Sequence, residues 1–213
     1  MDLYGGWSID EIVLTTGIAV LGHTCTEIFL VGLNHLHQKV KSGILDKMMV
    51  RPQSILFQVI CSDFQPHKIG RLAEAIILIA YGLSKVQITW TVYKVLVFIL
   101  ILVGVNVLFG ALLLLKAAFS FWTIEGMELM NILQEGGRDL SSYPVSIYKK
   151  WFADVFTYII PFGMVSYFPL SYILEKGDFP FWYGFAPLAS IPFLGVILLI
   201  WKCGLKTYKS TGS

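Results

Sequence analysis

Between Lys94 and Lys116 the chain runs from Val95 to Leu115 without one charged residue. A bilayer core of about 30 Å takes about 20 apolar residues in a helix, and in lipid a backbone that is neither helix nor closed barrel leaves its polar groups unsatisfied. A run of this length therefore commits the chain to a membrane helix. The composition agrees: of 213 residues 56% are apolar, 15% aromatic and only 14% charged. Mean hydropathy is +0.70, far from that of ordinary globular domains. The fold class expected is an all-α integral membrane protein, read as a single domain over residues 1–213.

Four further segments can cross a bilayer: Ile12 to Leu33, Ile69 to Trp90, Phe152 to Leu174 and Phe179 to Trp201, which makes five spans with Val95 to Leu115. The Ile69 segment is the weakest, because its apolar stretch is short and Arg71 and Lys85 must snorkel. Pro161, Gly163 and Pro169 interrupt the fourth span, and Pro180, Pro187 and Pro192 stud the fifth. Proline removes a backbone donor, so these helices are expected to break, kink or turn back where protein satisfies the freed carbonyls.

Basic residues favour the cytoplasmic side. With the N-terminus outside, the inner segments hold Lys39, Lys41, Lys47, Arg51, Lys68, Arg71, Lys116, Arg138, Lys149, Lys150, Lys202, Lys206 and Lys209, thirteen of the sixteen; Lys85, Lys94 and Lys176 fall outside. The expected location is the cell membrane, multi-pass, with an outer N-terminus and a cytoplasmic C-terminus. Residues 1–11 carry Asp2, Asp10 and Glu11 but no basic residue, so no signal peptide is expected. Cys25, Cys61 and Cys203 form no CxxC pair and suggest neither a disulfide framework nor a zinc site. A net charge of +2 gives no reason to expect nucleic acid. Two segments read as interfacial helices: Ser54 to Phe64, and Ile124 to Leu133 with Glu125, Glu128 and Asn131 opposite its apolar side, ended by Gly136-Gly137.

The segment from Lys41 to Pro52 is the polar exception between two apolar stretches. Gly43 with Ser42 can start a short helix, Asp46 near its start suits the helix dipole, and Pro52 ends it. Leu45, Met48 and Met49 would give it an adaptable apolar face. A cytoplasmic partner could grip the membrane domain there; the alternative is that these residues lie on lipid headgroups. No G-x-x-x-x-G-K-[ST] loop occurs, so ATP is not expected to be cradled by this chain. In the first span His23 and Glu27 are four apart and share a face. They read either as a proton- or cation-sensing pair on a transport path or as a buried pair locking α-helices together, with Asn106 as a third member. Two ligands are too few for a metal.

Four blocks resemble the ABC-2 type permeases, the membrane subunits of ATP-binding-cassette exporters, and in particular a bacterial branch described as an uncharacterised ABC permease component. They are Gly43-x-x-Asp46-x-x-x-x-Arg51-Pro52; Ser62-Asp63-Phe64 through Gly70-Arg71; Tyr143-Pro144 through Ile160-Pro161-Phe162-x-x-x-Ser166-Tyr167-x-Pro169; and Trp201-x-x-Gly204-Leu205-x-x-Tyr208-x-Ser210-Thr211-Gly212-Ser213. The resemblance implies a type V exporter-like transmembrane domain and an additional span ahead of Gly6-Trp7-Ser8, which this sequence lacks. It implies an ATPase-coupling helix over residues 42–52, carried by Gly43, Ile44, Leu45, Asp46, Lys47, Met48, Met49, Arg51 and Pro52. Broken or re-entrant pieces are implied near the outer ends of the last two spans, over Phe168 to Pro187. Path residues would be His23, Glu27, Asn106, Pro161 and Pro169. Partners would be an ABC ATPase subunit that holds ATP and magnesium, a second permease subunit and membrane lipids. The cargo would be amphipathic or lipid-like, moved outward. Two readings from other classes are a membrane lipid or acyl transferase using His23 and Glu27 as acid and base, and a substrate-binding membrane subunit of a vitamin importer.

Overall fold

The computed structural model describes residues 6–123, 127–143, 148–177 and 179–208. Helix α1, Ile9–Phe29, opens on a capping box: the Glu11 amide donates to Ser8 Oγ at 3.3 Å and the Ser8 amide to Glu11 Oε2 at 2.6 Å. It stops at Leu30 and is followed by short helices α2 (Val31–Asn34), α3 (Leu36–Lys41), α4 (Ile44–Met49) and α5 (Ile55–Ile60). A 3-10 turn, Pro66–Lys68, leads into α6 (Ile69–Lys85), and α7 (Val92–Phe119) follows. Then come α8 (Met127–Ser141), α9 (Lys150–Asp154), α10 (Phe168–Ile173) and α11 (Ser190–Thr207).

Among the described residues three helical stretches are long and apolar enough to cross a membrane: Ile9–Phe29, Val92–Phe119 and Phe181–Thr207. In α7, Lys94 and Lys116 stand about 33 Å apart at 1.5 Å per residue, close to one hydrocarbon thickness. The second expected span is a 17-residue helix, α6, which ends at Lys85 rather than Trp90. The fourth is two pieces. Helix α9 loosens into a π-helical stretch, Val155–Ile159, and ends at Ile160-Pro161; a second π stretch, Gly163–Tyr167, then passes into α10. Pro161, with no N–H to donate, marks the break, whereas Pro169 sits in the first turn of α10 and does not interrupt it. After α10, Glu175 at φ 56° and Gly177 at φ 87° turn the chain. A 3-10 helix, Phe181–Ala189, then packs back on α10 before running into α11.

Helix α7 is the hub, packed by α1, α8, α10, the 3-10 helix and α11; α1 lies between α6 and α7. Lipid tails are as apolar as leucine, so close approach has to hold such helices together. Gly17 and Gly82 provide it between α1 and α6. A Cβ on Gly17 would lie 2.9 Å from Ile79 Cγ1, and one on Gly82 2.7 Å from Leu14 Cβ. Because α1 is covered on both flanks, its middle residues Leu14, Ile18 and His23 have no exposed surface.

The segment expected to end at Gly136-Gly137 instead runs through both glycines to Ser141. Gly137 is needed there, since a Cβ would come 2.5 Å from Phe162 Cζ. Ile124 and Glu125, and the side chains of Met127, Glu128, Met130 and Leu133 on which its two faces rest, lie outside the described residues. The same holds for Pro144 and for Ser210 to Ser213 of the blocks above.

Candidate functional site

Helix α4 begins at Gly43, whose φ of 68° is a left-handed conformation that glycine adopts without strain. It ends at Met49 with Val50 as its cap, and Pro52, two residues past that cap, stands where a proline keeps a helix from continuing. The helix is anchored from three directions. Leu45 and Met48 are buried in a cluster with Leu33, Leu36, Val40 and Val59. Gln58 Nε2 donates to the Met48 and Gln53 carbonyls, both at 3.0 Å. Tyr208 at the end of α11 donates its hydroxyl to Asp46 Oδ1 at 3.1 Å, and its ring lies 6.0 Å from Phe121, which packs on Trp201 at 5.1 Å. The sequence reading put Leu45, Met48 and Met49 on one outward apolar face. Leu45 and Met48 point inward instead, and the exposed apolar side chains are Ile44, Met49 and Val50, with Lys41, Lys47 and Arg51 around them.

Behind α4 the polar groups form a second cluster. Lys39 is buried, pairs with Asp63 and donates to the Gly32 carbonyl at 3.3 Å; His35 Nδ1 is 3.6 Å from the same carboxylate. The Lys39 hydrogen bond holds the Asp63 carboxyl below the usual aspartate range, against a smaller opposing effect of burial. Lys116 of α7 reaches Asn34 Oδ1.

Further along α1, His23 and Glu27 come together as their spacing predicts, with Nδ1 to Oε2 at 3.4 Å. Their partners are others than the spacing suggested. Glu27 binds Lys68 through Oε1 and has Arg71 at 3.6 Å from Oε2. His23 Nε2 faces Glu135 Oε1 of α8 at 3.6 Å, and Arg138 pairs with Glu135 Oε2 at 3.0 Å. The His23 ring stands edge-on to Phe109 at 5.4 Å. Donor atoms of His23, Glu27 and Glu135 lie within 4.8 Å of one another, a spacing that could hold a metal ion. Lys68, Arg71 and Arg138 already occupy these carboxylates, so a divalent cation would have to displace them.

Asn106 is elsewhere. Its Nδ2 donates to the Leu102 carbonyl at 2.8 Å, and it lines an apolar groove of about 390 Å³ with Leu30, Leu56, Gly110, Leu194 and Leu198. Pro161 and Pro169 are buried beside Phe162 and Leu170. Asn106 and Glu27 thus line different cavities among the described residues, and the space beside Glu27 is about 10 Å³, room for a water. Sequence reasoning gave Glu135 no mention and gave Arg138 and Tyr208, named only in the basic-residue count and a family block, no role at the site. A usable signal for the first two was the Glu135, Arg138 pair at i, i+3, which supports a helix continuing through the glycines.

No curated protein and no solved structure matches this sequence. The family described as ABC-2 family transporter protein matches residues 1–212, nearly the whole length. With membrane-length helices around α7, no strand-built layer among the described residues and the family blocks in order, the chain belongs to the ABC-2 family of transporter membrane proteins.

Proposed function

We propose that this ABC-2 permease is the membrane half of an exporter: it forms the outward path for an amphipathic or lipid-like cargo, pairs with a second permease and is driven by a separate ABC ATPase that carries ATP and magnesium. The N-terminus lies outside and α4 faces the cytoplasm. Supporting this orientation, Lys94 and Lys176 stand at the end where α1 begins, while Lys39, Lys68, Arg71 and Lys116 gather at the other.

The observation that carries the reading is the two-sidedness of α4. A helix of six residues has little stability of its own, yet this one is pinned by Leu45, Met48, Gln58 and Tyr208 while Ile44, Met49 and Val50 face outward. A pinned helix with exposed apolar tips transmits force in a way that a loop on headgroups does not. The cations Lys41, Lys47 and Arg51 call for a slot in the ATPase that is apolar at its base and acidic at its rim. The transferase reading finds less support: both nitrogens of a fully buried His23 face carboxylates, which leaves no base free for a substrate.

Co-expression of the chain with its ATPase tests this. Val50→Asp with Met49→Asp is expected to leave folding intact and reduce ATPase co-purification by about tenfold or more, whereas Leu45→Asp is expected to lose the folded inner end altogether. Unchanged ATPase recovery in the double variant overturns the docking face.

A further inference from the structure

Helix α5 packs on α2 and α4, while α11 packs on α7. Between these pairs lies the apolar groove of about 390 Å³, walled by Leu56 and Ile60 of α5, Gly110 and Leu114 of α7, and Leu194 and Leu198 of α11. Asn106, the polar side chain at its deep end, donates Nδ2 to the Leu102 carbonyl of its own helix. Along α7 the groove reaches from Asn106 to Leu114, about 12 Å at 1.5 Å per residue. Asn106 stands near the midpoint between Lys94 and Lys116, so the groove occupies one leaflet, whose hydrocarbon half is about 15 Å thick.

Size and surface select the occupant. The volume suits about a dozen methylene groups, each taking about the 30 Å³ that a water takes. A helix about 10 Å across and equally long fills more than about twice that space, so the groove is too narrow for a neighbouring span. Water finds too few hydrogen-bond partners on such a wall, and an empty groove forfeits the dispersion contacts of its lining. The groove also has a charged end. A Cβ on Gly104 would lie 2.9 Å from Pro187 Cβ and one on Gly204 2.6 Å from Phe121 Cδ2, so α7 and α11 run side by side in the same direction. After Leu194 and Leu198 the next residue at the same spacing of four is Lys202, exposed and beyond the level of Leu114, with Lys206 exposed one turn further. The lysines that pair with carboxylates among the described residues are Lys39, Lys68, Lys94 and Lys176, which leaves Lys202 and Lys206 for the charge of a ligand.

We propose that this groove is a lipid site: it takes one acyl chain of an anionic phospholipid whose phosphate is held by Lys202, in the leaflet on the side of α4. Only the naming of that leaflet as cytoplasmic rests on the orientation given above. Lysine extends its stem along apolar surface and keeps its ammonium among the headgroups, where it attracts anionic lipid. With the chain in place, α5 leans on α11 across the lipid; α5 also bonds the end of α4 through Gln58, so the lipid backs the docking helix from the membrane side. Gly110 keeps the groove open. A Cβ there would meet Leu30 Cδ1 at 3.2 Å and nothing else within 4 Å among the described residues, so a larger side chain enters the groove with a small shift of Leu30.

The test is photolabelling of the full chain in phosphatidylcholine nanodiscs that carry a small fraction of phosphatidylglycerol with a diazirine at the end of one acyl chain, the labelled peptides being mapped by mass spectrometry. Labelling of residues 106–114 and 194–198 is expected to exceed that of Ile76 and Ile77, which are exposed on α6. It is also expected to exceed labelling by the matching phosphatidylcholine probe about fivefold, the scale of one lysine facing an anionic headgroup. Lys202→Glu is expected to abolish this preference, and Gly110→Leu to lower groove labelling by both probes. Lys202 is exposed, so its variant remains readable if Gly110→Leu fails to insert. Groove labelling no higher than that of α6 overturns the site, and a preference for phosphatidylglycerol that survives in Lys202→Glu overturns the assignment of the headgroup. Labelling that appears with one copy per disc and vanishes with two gives the groove to a second permease and likewise overturns the lipid site. Neither transport nor ATPase is read, so failure here leaves the exporter reading standing.

Discussion

At the end of the bundle where α1 begins, Lys176 meets Glu11 at 2.7 Å and Lys94 meets Glu175 at 2.5 Å, and each acid has a second donor: the Ser8 amide for Glu11, the Thr89 hydroxyl for Glu175. At the opposite end Glu27 has no backbone donor, and its neighbours Lys68, Arg71 and His23 have it as their shared acid. The first arrangement is a set of independent staples and the second is a network. Ion pairs backed by a helix terminus or by water lose little when one member goes. A network around one partly buried carboxylate loses several partners at once. The end that the proposed function turns toward the ATPase is therefore also the end where a single substitution is felt furthest.

The largest effect is expected from Glu27→Leu. It strands Lys68 and Arg71 at the edge of the bundle and leaves His23 with one carboxylate, at a cost of about 3 kcal/mol. Thermal unfolding in detergent should shift by several degrees. Adding His23→Leu to Glu27→Leu should cost less than the two single changes summed, because contacting groups are coupled. Strict additivity would break the network into independent pairs and erase the contrast between the ends.

The contrast was only half legible in the sequence. The uncharged run of α7 and the His23, Glu27 spacing follow directly from helical geometry, and both are present. Which cations meet Glu27 is decided by the 3-10 turn at Pro66–Lys68 and the start of α6, more than forty residues along, which no local period encodes. Glycine in a helix interior costs about 1 kcal/mol relative to alanine, so Gly136-Gly137 reads as a break. The close fit of Gly137 on Phe162 reverses that preference and brings Glu135 to His23. In α4 a six-residue helix offers too few turns for its pattern to distinguish Leu45 and Met48, which face in, from Ile44 and Met49, which face out. The π turns on either side of Pro161 likewise follow from packing against neighbouring helices, with only the break itself visible as a proline.

Asp63 sharpens the comparison with a smaller effect that depends on pH. Lys39 lowers its pKa in the folded chain, and a carboxyl lowered in this way adds stability that is fully present above the ordinary aspartate value near 3.9 and is lost as the pH falls through the folded one. With over a third of its side chain exposed, the pair is expected to contribute about 1 kcal/mol at neutral pH. Asp63→Asn should thus melt lower than the unmodified protein by a constant margin from pH 7 to about pH 5, and the margin should close as the pH drops below about 4. A margin that widens on acidification would reverse the sign and remove Lys39 as the cause.

The smallest effect belongs to the staples. Lys176→Ala deletes the ion pair with Glu11, the bond to the Gly6 carbonyl and the placement of a cation 5.5 Å from the Trp7 ring. Glu11 nonetheless keeps the Ser8 amide and sits in the first turn of α1, where the helix dipole favours a negative charge. Its carboxylate is therefore not orphaned, and the loss is expected to stay within about 1 kcal/mol, a shift of a few degrees at most in the same unfolding assay. Raised salt should shrink this difference further, since a screened pair contributes less. Should Lys176→Ala instead cost as much as Glu27→Leu, the capping box would be failing to support Glu11, and the two ends of the bundle would be alike in how they hold their charges.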